Sequence, residues 1–334
     1  MRAPRITAIV LNYNGRELLA PCLDALLASD CQGLSILLVD NASSDGSVEL
    51  ARQAYPGIEI LSNPANYYFS RGNNEGLRLA LGRDADYLFV LNNDTLIDPG
   101  CLSRLAEFME SRPEAGACQP LLCFMDRPDL AASAGIRLGI AGKAWDLACG
   151  EPAASLGDRP FQILGATGGA MLLRAEAVRR CGMFCEEFEM YFEDVDLSLR
   201  LREAGWEIWC VPLARVLHEC SATTNRTGAW RRGYFCERNS YKVVLRNYPP
   251  AKILKAYALG LPQAAMAAAY NTLLHDRRYG LAIAGAMLEG LRDLVRLLPG
   301  RLTRRDRQAR GYAFWPMVEE SVVYPQACKR NETP

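Results

Sequence analysis

Three stretches of the chain carry polar side chains in combinations that can do chemistry. The first is Asp40-Asn41-Ala42-Ser43-Ser44-Asp45-Gly46-Ser47, which follows an apolar run. A carboxylate at such a place can accept hydrogen bonds from a ribose hydroxyl or an imide N–H, and it can equally cap a following helix. The second is Asn92-Asn93-Asp94-Thr95, again behind an apolar run. One carboxylate flanked by amide oxygens suits a hard divalent cation completed by phosphates and water, while the same residue types also favour an Asx-turn. The third, from Glu187 to Asp196, holds five carboxylates in ten residues, interleaved with aromatics. Acidic residues complement the start of a helix, and aromatics around a carboxylate give the partly dry setting of a general base. His218, one of two histidines, reads either as a structural imidazole or as a ligand for a borderline metal.

The elements that must position these groups alternate in type. The spacing predicts strands over 6–12, 36–40, 58–61 and 87–92, with a helix built on Leu18, Leu19, Cys22, Leu23, Leu26 and Leu27 and another over 71–81. Such alternation implies right-handed βαβ units and a parallel sheet, whose ligands sit beyond the carboxyl ends of the strands. Those ends carry Asn12, Asp40 and Asn92–Asp94. Further on, the pattern predicts loops and edge strands over 118–164, a Gly-rich approach (Gly165, Gly168, Gly169) to a strand over 170–173, and a helix from Val195 stopped by Gly205. A last strand, over 206–211, is expected to close at Pro212.

Composition narrows the classes. The chain has 334 residues, 23% of them charged, which suits one large or two modest domains and excludes disorder, collagen and coiled coil. No basic segment precedes an apolar one at the start, so a cytoplasmic protein is expected. The 12 cysteines stand singly, mostly beside apolar residues, and read as small buried side chains rather than a disulfide scaffold. Net charge is zero, yet residues 1–225 hold 19 Lys+Arg against 30 Asp+Glu, and residues 226–334 hold 19 against 8. The basic half interleaves Arg226, Arg231, Arg232, Arg238, Lys242 and Arg246 with Trp230, Tyr234, Phe235, Tyr241 and Tyr248. It points to anionic partners, an anionic membrane surface before nucleic acid, for which no recognition module is visible. Residues 256–275 contain no Asp, Glu, Lys or Arg and could lie on a membrane, pack as an accessory helix, or span a bilayer. No G-x-G-x-x-G follows the first strand and no P-loop lysine is present, which disfavours dinucleotide and P-loop readings.

Taken together the motifs resemble glycosyltransferase family 2, inverting transferases of the GT-A fold, and within it the rhamnosyltransferase-like branch of bacterial surface polysaccharide synthesis. The similarity runs over about residues 5–220. It rests on Ala8-Ile9-Val10-Leu11-Asn12-Tyr13-Asn14-Gly15, Val39–Ser47, Gly72-Asn73-Asn74-Glu75-Gly76, Leu91–Thr95 and Tyr191–Arg200. The resemblance implies an α/β architecture with a mostly parallel central sheet flanked by helices. It implies a catalytic domain over 1–225 and a basic, mainly helical extension over 226–334 for acceptor or membrane-surface association. It also implies transfer of a sugar from a nucleotide-diphospho-sugar, dTDP-rhamnose or a UDP-hexose, to a glycan or lipid-linked glycan at the cytoplasmic face of the membrane. Residue by residue, Asn12, Asp40, Asn41, Asn73, Asn93 and Asp94 would contact the donor. Asp94 and His218 would hold Mn²⁺ or Mg²⁺, Asp194 would be the catalytic base, and Glu193 would assist beside it. The sequence departs from the family at Asn92, where the metal-binding D-x-D has its first aspartate, at Tyr67–Arg71 and at Cys185. The alternatives are a sugar nucleotidyltransferase, which would need a Gly-rich basic loop after the first strand, and a degenerate, non-catalytic glycan-binding scaffold.

Overall fold

The computed structural model describes residues 3–220, 228–303 and 311–320. Its N-terminal half is an alternating run: β1 (Ile6–Asn12), α1 (Arg16–Leu27), β2 (Leu34–Asp40), α2 (Ser47–Ala54), β3 (Glu59–Ser62), α3 (Tyr68–Gly82) and β4 (Tyr87–Asn92). There follow β5 (Thr95–Ile97), α4 (Cys101–Ser111), β6 (Ala115–Phe124), β7 (Ala131–Ser133), β8 (Ile136–Leu138), β9 (Ala144–Asp146) and β10 (Phe161–Gln162). The catalytic-type core closes with β11 (Ala170–Arg174), α5 (Ala175–Cys181), α6 (Glu193–Glu203) and β12 (Glu207–His218). Three long helices follow, α7 (Ala229–Asn247), α8 (Pro250–Leu274) and α9 (Arg277–Thr303), and then a 3-10 turn at Trp315–Met317.

The main sheet has the order β10-β12-β6-β11-β4-β1-β2-β3, with β5 and β7 at its side. β3, β2, β1 and β4 are parallel, as the alternation requires, while β11 runs antiparallel between β4 and β6, so the sheet as a whole is mixed. Both faces are covered. One packs Leu19, Leu23 and Leu26 of α1 with Leu102, Leu105 and Met109 of α4; the other packs Leu77 of α3, Val178 of α5 and Leu197 and Leu201 of α6. Burial on both sides explains the unbroken apolar strands. Gly76 lets α3 approach closely, since a Cβ there would stand 2.7 Å from Ile9 Cγ2.

β12 differs from expectation. Instead of ending at Pro212 it bulges between Val211 and Arg215 and resumes, pairing Val216 with Ile97 and His218 with Thr95. A bulge accommodates the missing proline N–H, and here it delivers His218 to the end of the sheet where Asp94 lies. The helices α3 and α6 also begin earlier than the sequence pattern predicts, at Tyr68 and Glu193.

The C-terminal helices pack on the core through a cluster joining Val195 and Leu199 of α6 to Tyr241, Val244 and Leu245 of α7 and Ile253 and Tyr257 of α8. α8 pairs with α9, where Tyr257 donates to the Gly290 carbonyl at 3.1 Å. Among the described residues no helix is long and apolar enough to cross a membrane. Arg226 and the expected boundary at 225/226 lie outside the described residues.

Candidate active site

The carboxyl ends of β1, β2 and β4 are knotted by amides. Asn12 and Asp40 stand opposite each other in register, and Asn12 Nδ2 donates to Asp40 Oδ1 at 3.0 Å and to Ser43 Oγ at 3.1 Å. Asp40 also accepts from the Ser43 N–H at 2.9 Å and hydroxyl at 2.5 Å, and Asn93 Nδ2 donates to Asn12 Oδ1 at 2.7 Å. Asn12 and Asp40 are consequently enclosed, 0% and 1% exposed, and brace the cleft wall from behind. Asn73 on α3 is buried as well; its Nδ2 donates to the Phe69 carbonyl at 3.0 Å, and its Oδ1 has no donor. Asn41 does face the cleft, and it ties the first residue of α3 by donating to the Tyr68 carbonyl at 2.9 Å.

The cleft itself measures about 1380 Å³, room for two substrates rather than one. Asn41, Asn93, Asp94, Glu193, Asp194 and His218 all line it. His218 Nε2 lies 3.2 Å from Asp94 Oδ1 in an ion-pair contact, yet that oxygen has no aligned hydrogen-bond donor although it is buried. Burial disfavours the imidazolium, but the Asp94 carboxylate and the Cys220 thiol outweigh it and lift the His218 pKa to about 10. With the proton held between Asp94 and His218 displaced, the buried carboxylate oxygen and the freed imidazole nitrogen fit a divalent cation. Among the described residues no group of three or more His, Cys, Asp and Glu side chains could hold a metal, so two protein groups would leave the remaining positions to diphosphate oxygens and water.

Across from this pair lies Asp194, in the first turn of α6. Its Oδ2 accepts the Gly168 N–H at 2.9 Å and its Oδ1 the Val195 N–H at 2.8 Å. Burial pushes its pKa up to about 6 even though these backbone donors pull the other way. The next glycine, Gly169, abuts the other centre: a Cβ on it would stand 3.3 Å from His218 Cε1, while one on Gly168 would stand 3.6 Å from Asp194 Oδ2 and 2.8 Å from Phe69. The base candidate and the cation candidate thus flank one glycine pair. Glu193 is 4% exposed, its Oε2 has no partner, and burial together with the Asp194 charge holds its carboxyl well above the usual range. Asp196 is fully buried among Arg200, Arg246 and Asn247 and serves structure.

Two groups of residues escaped the sequence reading. The segment before α6 has left-handed backbone at Glu189 (φ 62°), Tyr191 (66°) and Phe192 (70°). It is held from α7, where buried Asn239 Nδ2 donates to the carbonyls of Phe188, Met190 and Tyr191 at 2.9, 2.9 and 2.8 Å, and Arg238 pairs with Glu189 at 2.7 Å. Asp146 of β9 also faces the cleft, its side chain exposed there near the Ser133 hydroxyl, His218 and Arg232. No local pattern marks either, because both act across the tertiary structure.

A parallel half-sheet whose strand ends meet an antiparallel strand and an acidic helix start is the GT-A arrangement of sugar transferases. Residues 7–181 match Glycosyl transferase family 2, and the chain belongs to that family. It is 29% identical over 245 residues, 67% of this chain and 79% of the relative, to the N-acetylglucosaminyl-diphospho-decaprenol L-rhamnosyltransferase of Mycobacterium tuberculosis. It is 27% identical over 220 residues to the galactofuranosyltransferase GlfT1 of Mycolicibacterium smegmatis, covering 64% of this chain and 71% of that one. In fold it is similar to S. aureus TarS in complex with UDP-GlcNAc, at TM-score 0.57 and 14% identity over 89% of this chain and 82% of that one. It is also similar to the mannosyltransferase PcManGT of Pyrobaculum calidifontis in complex with GDP-Man and Mn²⁺, at TM-score 0.54 and 16% identity over 88% of each chain.

Proposed function

We propose that the chain transfers a sugar, with inversion, from a nucleotide-diphospho-sugar (dTDP-rhamnose or a UDP-hexose) to a lipid-linked glycan in cell-surface polysaccharide synthesis. The observation that carries this reading is the pair of unlike acidic centres, Asp94–His218 and Asp194, on either side of Gly168–Gly169 in one cleft. The names of the relatives support the substrate classes. Asp94 and His218 would hold Mn²⁺ or Mg²⁺, which when bound supplies the positive charge that offsets the departing diphosphate. Asp194 orients the acceptor hydroxyl and takes its proton as the oxygen–anomeric carbon bond forms and the carbon–phosphate oxygen bond breaks. One displacement inverts the centre, so no covalent enzyme intermediate is needed. Glu193, buried with its carboxyl held well above the usual range, stands beside the base. Asn12, Asp40 and Asn73 shape the nucleoside wall, while Asn41 and Asn93 face the donor. In the same reading residues 1–225 form the catalytic domain, and residues 226–334 face acceptor and membrane at the cytoplasmic leaflet.

The test is direct. With Mn²⁺ present, calorimetry should show dTDP or UDP binding, and Asp194→Asn should leave that binding within about twofold while transfer falls by about 10²–10⁴-fold. Equal transfer by the variant would refute the assignment of the base.

A further inference from the structure

At the outer rim of the cleft stand three arginines that the mechanism does not use. Arg231 and Arg232 lie in the first turn of α7 and Arg278 in the first turn of α9, and all three line the cleft that holds Asp94 and Asp194. They are exposed, and none has a carboxylate salt-bridge partner among the described residues. Arg231 and Arg278 both lie over the Trp230 ring, at 5.3 and 5.8 Å from its centroid. Arg232 interacts with the Cys236 thiol and feels the Asp146 charge. Helix stability does not explain these positions, because cations are disfavoured at a helix start and neither first turn carries an acidic side chain. Three guanidiniums on one rim, none in a salt bridge among the described residues and two of them over one indole ring, suit a multiply charged phosphate group.

The same end of the molecule is apolar. The α8–α9 turn is flanked by Met266, Tyr270, Leu273, Leu274 and Leu281, all exposed, Leu273 and Leu274 by 78% and 75%. Arg278 stands within one turn of Leu281, so the basic rim runs directly into this face. We infer that Arg231, Arg232 and Arg278 bind the diphosphate of an isoprenoid-diphosphate-linked acceptor. Its lipid tail leaves along the α8–α9 turn, and its saccharide points inward to Asp194. This placement rests on the lipid-linked acceptor of the preceding reading and adds where its charged group docks. The donor diphosphate is accounted for separately, beside Asp94 and His218.

The full chain, saturated with UDP and Mn²⁺ to fill the donor pocket, is titrated calorimetrically with farnesyl diphosphate and with farnesol. Farnesyl diphosphate should bind and farnesol should not. Arg231→Gln and Arg278→Gln should each weaken the binding by about tenfold, the usual cost of losing a charge-assisted hydrogen bond. Unaltered affinity in both variants would overturn the placement alone. So would loss of farnesyl diphosphate binding as UDP is raised from zero to saturation, or displacement by phosphatidylglycerol vesicles at a salt concentration that removes the electrostatic part of vesicle binding, which would make the rim a general anionic-surface patch. A wild-type chain that ignores farnesyl diphosphate yet transfers sugar to a diphosphate-free saccharide would remove the lipid-diphosphate acceptor itself.

Discussion

Glu193 and Asp194 are neighbours in sequence with different fates, and the difference is what each side chain meets. Both line the cleft, but Glu193 is 4% exposed with a carboxyl held well above the usual range, whereas Asp194 accepts two backbone N–H groups and is lifted to a pKa of about 6. A base with that pKa is mostly ionised at neutral pH yet still basic enough to accept a proton, so kcat/KM should rise through about pH 6 and level off above it. The same shift costs stability. Because the folded pKa exceeds the ordinary value of 3.8, the native state holds this proton more tightly than the unfolded chain. The contribution is complete below about pH 3.8 and is lost as pH rises through about 6. Asp194→Asn, whose amide leaves one of the two backbone N–H groups facing an NH₂ at either pH, should therefore be more favourable to the fold at pH 8 than at pH 5 by about 1–2 kcal/mol. Thermal melts at the two pH values check it; identical shifts at both would mean the carboxylate is well solvated.

At the scale of elements, the base depends on a helix distant from it in sequence. Three left-handed non-glycine residues precede α6, each costing about 1–3 kcal/mol unless its surroundings fix it. Asn239 supplies that fixation through one amide group aimed at three carbonyls. Asn239→Ala should lower kcat by about tenfold or more while nucleotide binding holds, since β1, β2 and β4 are untouched. Asn239→Asp, nearly the same shape, turns a donor into an acceptor against the same carbonyls and should be the worse of the two in both kcat and melting temperature. Equal effects would show that Asn239 acts by volume rather than by hydrogen bonding. This dependence explains what the sequence could and could not disclose. β1 and β4 were legible because doubly buried strands are unbroken apolar runs ending in polar groups. Asp94 and Asp194 were legible only through the resemblance to glycosyltransferase family 2, because their local patterns suit an Asx-turn and a helix start equally well. The continuation of β12 past Pro212 was not, since a bulge is decided by the partners β6 and β5. Nor were Asn239 and Asp146, whose roles exist only once α7 and β9 reach the cleft.

Over the whole molecule, charge and apolar surface are segregated together. Residues 226–334 carry the basic excess, and their helices expose Met266, Tyr270, Leu273, Leu274, Leu281 and Leu288 beside it. Each Lys or Arg near an anionic leaflet contributes about 1 kcal/mol, and that contribution fades as salt shortens the Debye length. Burying one leucine contributes about 1.5–3 kcal/mol and is insensitive to salt. The two terms can be separated by sedimenting the full chain with phosphatidylglycerol-containing vesicles. Binding should be strong at low salt and weaken at high salt to a residual level. Leu273→Ser with Leu274→Ser should abolish the residual level while leaving the salt-dependent part. A chain bound by charge alone would lose everything in salt, and its exposed leucines would then need another partner. A residual that the serine variants remove would place the α8–α9 turn in the lipid, with the cleft opening beside it at the height of a diphosphate headgroup.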